Sequence, residues 1–209
     1  MKKLLIILMI IIIGVGTWFY FQQKEKISEK ISPEEQLKNL GLIIFKNTKF
    51  EDFSIDNFSF KYPNWKKVEI DPLLIWPKEI AEKEKILLYL INPDEVKMLV
   101  TKRELSSEDL TKPFPLIFRE VFAQNREIME KEGGLSALQI VREEFFENGV
   151  THELKVIILG KTITSISKSI ILKERDRGFI YSVGIAASDR IFEDYRPLAD
   201  YIIDSIRYY

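Results

Sequence analysis

Hydrophobic and polar positions change their period several times along this chain, and each change predicts a boundary. Leu4 to Phe21 carries no charge at all; as a helix it would reach roughly 27 Å, close to the hydrocarbon core of a bilayer. Residues 23–49 are charged and poor in aromatics. From Phe50 the period becomes two: Phe53, Ile55, Phe58, Phe60 and Tyr62 alternate around Asp56-Asn57, which predicts two short strands meeting at a turn. Ile86 to Leu90 and Val96 to Val100 flank Asn92-Pro93-Asp94-Glu95, a second hairpin signal. The period then turns helical from Pro115 to Lys131. Ile117, Val121, Gln124 and Ile128 form its stripe, Leu116 and Phe118 widen it, and Gly133-Gly134 ends it.

Strands return after that helix. Ala137 to Glu147 runs into Asn148-Gly149, a favoured hairpin turn, and His152 to Leu159 comes back. Lys161 to Lys173 and Phe179 to Ala187 pair across Glu174 to Gly178. Phe192, Tyr195, Leu198, Ile202 and Ile206 predict a terminal helix, with Pro197 kinking its first turn or marking its start. Helices segregated from a run of antiparallel strands predict an α+β fold, an antiparallel sheet flanked by helices.

The apolar stretch at the amino terminus decides where such a domain would sit. It has no polar stripe, so it does not read as a core helix. Gly14-Val15-Gly16 offers a small-x-small cleavage site, but a cut there would leave Thr17-Trp18-Phe19-Tyr20-Phe21 as an apolar new terminus. Uncut, Trp18 and Tyr20 fall at headgroup depth. The stretch therefore reads as one transmembrane helix within residues 1–22, a retained membrane anchor from Leu4 to Phe21; the alternative is a signal peptide and a secreted product. The charges flanking it are nearly even. The basic start Lys2-Lys3 places the amino terminus in the cytoplasm and the bulk of the chain outside it. Residues 23–49 read as a charged linker holding a short helix capped by Ser32, begun by Pro33 and closed by Gly41. Residues 50–209 read as the folded domain.

Composition narrows the function classes. Lys and Arg total 31 against 32 Asp and Glu, which supplies no basic stripe for nucleic acid. The absence of cysteine excludes both lipid attachment at a cysteine and disulfide support. A single histidine removes the material for a multi-histidine zinc site.

Four stretches carry a resemblance: "NFSFKYPNW", "ENGVTHELKV", "LGKTITSISKSIIL" and "GFIYSVGIAASDRIFEDYRPLADYIIDSIR". They resemble the PsbP-like family, which includes the lumenal PsbP protein of photosystem II, DcrB-type lipoproteins and nuclear Mog-type proteins. The shared pattern at the end of the chain, Tyr195, Pro197, Ile202 and Ser205, concerns the fold and not catalysis. The resemblance implies a partner-binding domain and carries over no binding residue. DcrB-type proteins have a lipid-anchoring cysteine, which this chain lacks.

Candidate chemistry is sparse. His152 follows a hairpin turn and reads as an exposed strand position. Ser165, Ser167 and Ser169 alternate along a strand without a nucleophile elbow. Glu143-Glu144 and Glu69/Asp71 could hold a cation, but adjacent strand residues point to opposite faces. Gly160 and Gly178 read as turn glycines. Binding potential rests on aromatics: Trp65, Trp76, Phe145, Phe146, Tyr195, Tyr208 and Tyr209. Within "LLIWPKEI", the residues Leu73, Leu74, Ile75 and Trp76 are more apolar than a surface loop requires and form the candidate partner contact. The expectation is a non-catalytic, membrane-anchored, extracytoplasmic interaction module with an envelope protein partner, without cofactor, metal or nucleic acid. The alternative is a carboxylate-based, possibly metal-dependent hydrolase.

Overall fold

A computed structural model describes residues 33–174 and 177–209. The anchor expected from Leu4 to Phe21 and the cap expected at Ser32 lie outside the described residues. Among the described residues no helix is long and apolar enough to cross a membrane. The chain divides into Met1–Leu40 and Gly41–Tyr209. Helix α1 (Pro33–Asn47) begins in the first unit and continues into the second. It does not close at Gly41. A Cβ at Gly41 would come within 2.9 Å of Pro197 Cγ and 3.0 Å of the Asp194 carbonyl oxygen, so this glycine permits a close helix crossing instead of a helix end. Ile44 and Phe45 of α1 pack against the core, so a boundary at residue 50 would cut them away.

Among the described residues, ten strands follow, interleaved with three α-helices. They are β1 (Phe50–Ile55), β2 (Phe58–Pro63), β3 (Lys66–Lys67), α2 (Lys78–Ala81), β4 (Glu84–Ile91), β5 (Lys97–Leu105), α3 (Phe114–Lys131), β6 (Leu135–Phe146), β7 (Gly149–Ile158), β8 (Lys161–Glu174), β9 (Arg177–Ser188), α4 (Asp189–Ser205) and β10 (Arg207–Tyr208). They form a seven-stranded sheet in the order β3-β4-β5-β9-β8-β7-β6 and a three-stranded sheet in the order β1-β2-β10. Every pairing is antiparallel. The expected α+β class and both early hairpins are present.

Alternation along the central strands gives the large sheet two different faces. Tyr181, Val183 and Ile185 of β9, with Ile166 and Ile170 of β8, join Phe58 and Phe60 of the small sheet and Phe192, Leu198 and Ile202 of α4 in the main core. Ile180 and Ile171 point the other way and pack with Ile117 and Phe118 of α3. Asp56, in a left-handed turn conformation at φ 51°, ties the sheets together. Its carboxylate accepts from Tyr181 Oη at 2.7 Å and from Lys102 Nζ at 3.1 Å.

Four expectations need correction. Pro197 lies well inside α4, which starts at Asp189; the helix tolerates the missing donor because its apolar face is buried along its length. The turn between β6 and β7 is Glu147-Asn148, since Gly149 already pairs with Phe146. Gly149 serves close packing, because a Cβ there would stand 2.6 Å from the Ser169 carbonyl oxygen. Gly178 is a strand residue of β9, opposite Lys173 and Leu105, and not a turn glycine. Leu116 is 44% exposed and does not widen the α3 stripe; Phe122, Asn125 and Met129 instead face inward over the sheet.

Candidate functional site

The second face of the large sheet is not filled. Where β8 and β9 cross its middle, their residues on this face are small: Ser165, Ser167 and Ser169 stand opposite Ala186, Gly184 and Ser182. Helix α3 lies over the neighbouring strands β6 and β7, so the small side chains leave a cleft of about 430 Å³. That volume falls within the usual range for small-molecule sites. Its floor comes from β5 (Leu99, Thr101), β9 (Ile180, Ser182, Gly184), β8 (Ser167, Ser169) and β7 (Val150, His152, Leu154, Ile158). Phe118, Val121, Phe122, Asn125 and Met129 of α3 form one wall; Ile75, Trp76 and Ile80 form a lip. None of the described lining residues is Lys or Arg.

The polar groups in the cleft mostly answer one another. Ser169 and Ser182 hydroxyls are hydrogen-bonded at 2.7 Å. Glu84 lies 3.6 Å from Arg103, with both side chains about nine-tenths buried. Burial pushes the Glu84 carboxyl above the usual carboxylate range; Arg103 and a hydrogen bond from Thr101 oppose that shift without cancelling it. Arg103 also donates to Gln124 and Asn125 of α3 at 3.2 and 3.3 Å. The Ser167 hydroxyl, by contrast, has no hydrogen-bond partner among the described residues.

His152 is the residue whose reading changes most. It is 7% exposed, not a solvent-facing strand position. β7 is an inner strand, and Phe122 of α3 stacks over the imidazole with ring centroids 5.1 Å apart. Its Nε2 lies 3.1 Å from Glu143 Oε1. Strand register sets Glu143, His152, Ser167 and Gly184 side by side across four strands. The alternation that separates Glu143 from Glu144 was legible; the row itself was not, because its members come from separate strands.

The expected contact loop splits into two parts. Leu73 and Leu74 are 58% and 79% exposed, in a short turn capped by Asp71, whose carboxylate accepts from the Leu73 amide at 2.9 Å. Ile75 and Trp76 are half-buried and border the cleft. The other aromatics do not gather with them. Trp65 and Phe146 pack against the main core, Tyr195 is buried and hydrogen-bonded to Asp94, Phe145 joins the smaller cluster, and Tyr208 and Tyr209 are exposed. No three His, Asp or Glu side chains among the described residues group as a set of metal ligands.

No family model and no curated protein matches the chain. Among solved structures it is similar to the Saccharomyces cerevisiae Ran-binding protein Mog1p, at 12% identity and a TM-score of 0.46 over 78% of this chain and 96% of that one. It is also similar to LpqN of Mycobacterium tuberculosis, described as involved in cell envelope biogenesis, at 9% identity and a TM-score of 0.38 over 86% of this chain and 98% of that one.

Proposed function

We propose that this protein is a non-catalytic binding module, held at a membrane by Leu4–Phe21 with its domain on the extracytoplasmic side, where it docks an envelope protein. Its contacts run through the loop Leu73, Leu74, Ile75 and Trp76 and the cleft that Ile75 and Trp76 border. The supporting observation is the cleft: preformed, mostly apolar, and with its titratable side chains paired to one another instead of turned toward an occupant.

A hydrolytic reading has one observation in its favour. Glu143, His152 and Ser167 align on one face of adjacent strands, and a serine, an imidazole and a carboxylate are the parts of an acyl-transfer site. Against it, the imidazole nitrogen that meets Glu143 is Nε2, and no hydrogen bond joins His152 to Ser167 among the described residues. Hydrolysis of p-nitrophenyl esters and phosphates by the full-length protein decides between the readings. The binding module leaves both substrates at the background rate. Turnover that disappears in Ser167→Ala or His152→Ala would overturn it. Carbonate washing of membranes tests the anchor: the full-length chain stays in the pellet, and a soluble product beginning near Thr17 would replace the anchor with a cleaved signal.

A further inference from the structure

The cleft exists because the central strands carry hydroxyls and hydrogens where apolar side chains would have filled the sheet. On β9, Ser182, Gly184 and Ala186 remain partly open, while their immediate neighbours Val183 and Ile185 are fully buried. A core position left small with an alanine would be dry. Serines at Ser167, Ser169 and Ser182 instead give a flat floor that donates and accepts hydrogen bonds. The wall opposite is aromatic, from Phe118 and Phe122, with the adaptable side chain of Met129 beside them, and Trp76 also lines the cleft.

Charge decides the class of occupant. Arg103 is taken by Glu84, Gln124 and Asn125, and His152 by Glu143. A carboxylate or phosphate entering the cleft would lose its water and meet the carboxylate of Glu84 and no lining Lys or Arg. An ammonium would find that carboxylate already matched by Arg103. From the volume, the hydroxyl floor and this pairing, we infer that the cleft takes an uncharged small amphiphile: a flat apolar body between α3 and the sheet, with one polar group on the Ser167 hydroxyl. This deepens the binding-module reading and rests on it.

Benzophenone and 4-benzoylbenzoate share an apolar diaryl ketone body and differ by one carboxylate, and both crosslink to neighbouring C–H bonds under near-ultraviolet light. Irradiating the full-length protein in detergent with each, then mapping the modified peptides by mass spectrometry, tests the proposal directly. Benzophenone should mark the α3 segment Phe118–Met129 and the lip at Trp76, with 4-benzoylbenzoate at least about tenfold weaker there. Ser182→Leu, which fills the cleft from its floor, should lower that labelling about tenfold and leave labelling elsewhere unchanged. Ser167→Ala, which keeps the volume and removes the hydroxyl, should lower it about threefold. Equal labelling by the two reagents would overturn the uncharged class. Absence of cleft labelling by benzophenone, or labelling indifferent to Ser182→Leu, would overturn the ligand site itself. The non-catalytic reading would survive that result, because it falls to Ser167- or His152-dependent turnover.

Discussion

The two faces of the seven-stranded sheet are made by the same strands and are packed in opposite ways. Toward α4, β9 presents Tyr181, Val183 and Ile185, all fully buried among apolar neighbours. Toward α3, the intervening positions Ser182 and Gly184 are small and partly open. Period-two geometry lets one strand complete a core on one side and floor a cleft on the other. Stability is therefore expected to reside mainly in the α4 face, while the α3 face is free to vary in volume and polarity for binding.

That contrast can be broken most severely at α4. Ile202 is fully buried between the helix and both sheets, so Ile202→Ala should lower unfolding free energy by about 2–5 kcal/mol. Urea titration of the full-length protein would show this as a lower midpoint with the slope retained; a loss below about 0.5 kcal/mol would place this face outside the core.

Adjacent positions on β9 sharpen the comparison. Val183→Phe adds volume to the filled side and should destabilise by about 1–3 kcal/mol. Ser182→Leu adds volume to the open side, one residue away, and should stay within about 1 kcal/mol of the parent. Similar losses at the two positions, read by the same titration, would mean that the cleft is as tightly packed as the core.

The smallest expected effect is a pH dependence confined to the cleft. Burial raises the pKa of Glu84 above its ordinary value of 4.5. The folded state therefore holds a proton over a range where the unfolded chain has released it. The stability this contributes is complete below pH 4.5 and is lost as pH rises through the higher folded value. Glu84→Gln should remove that part of the slope, seen as a flatter plot of unfolding midpoint against pH. An unchanged slope would mean that Arg103 keeps Glu84 charged throughout.

Much of the architecture was legible because it depends on local pattern. Alternation around Asp56-Asn57 and around Asn92 to Glu95 gave both hairpins, and 3.6-residue spacing gave α3 and α4, because an amphipathic element must repeat with its own geometry. The readings that failed depended on what lies across space. Gly41 signals a helix end until Pro197 is found against it; Gly178 signals a turn until Leu105 and Lys173 pair with it. Leu116 fits a helical stripe, but the sheet beneath α3 is not positioned to cover it.

The candidate site divides in the same way. The sequence alone marked Leu73 to Trp76 as too apolar for a loop, and it limited the chemistry by having one histidine and no cysteine. It also showed serines alternating along β8. Only the tertiary structure decided that those serines face a cleft, that His152 lies buried under Phe122 beside Glu143, and that Glu84, which lines the cleft, is paired with Arg103. The reason is geometric. Period and composition act along the chain, whereas a cleft is built from residues on five strands and two helices whose register and spacing are fixed only when the sheet closes.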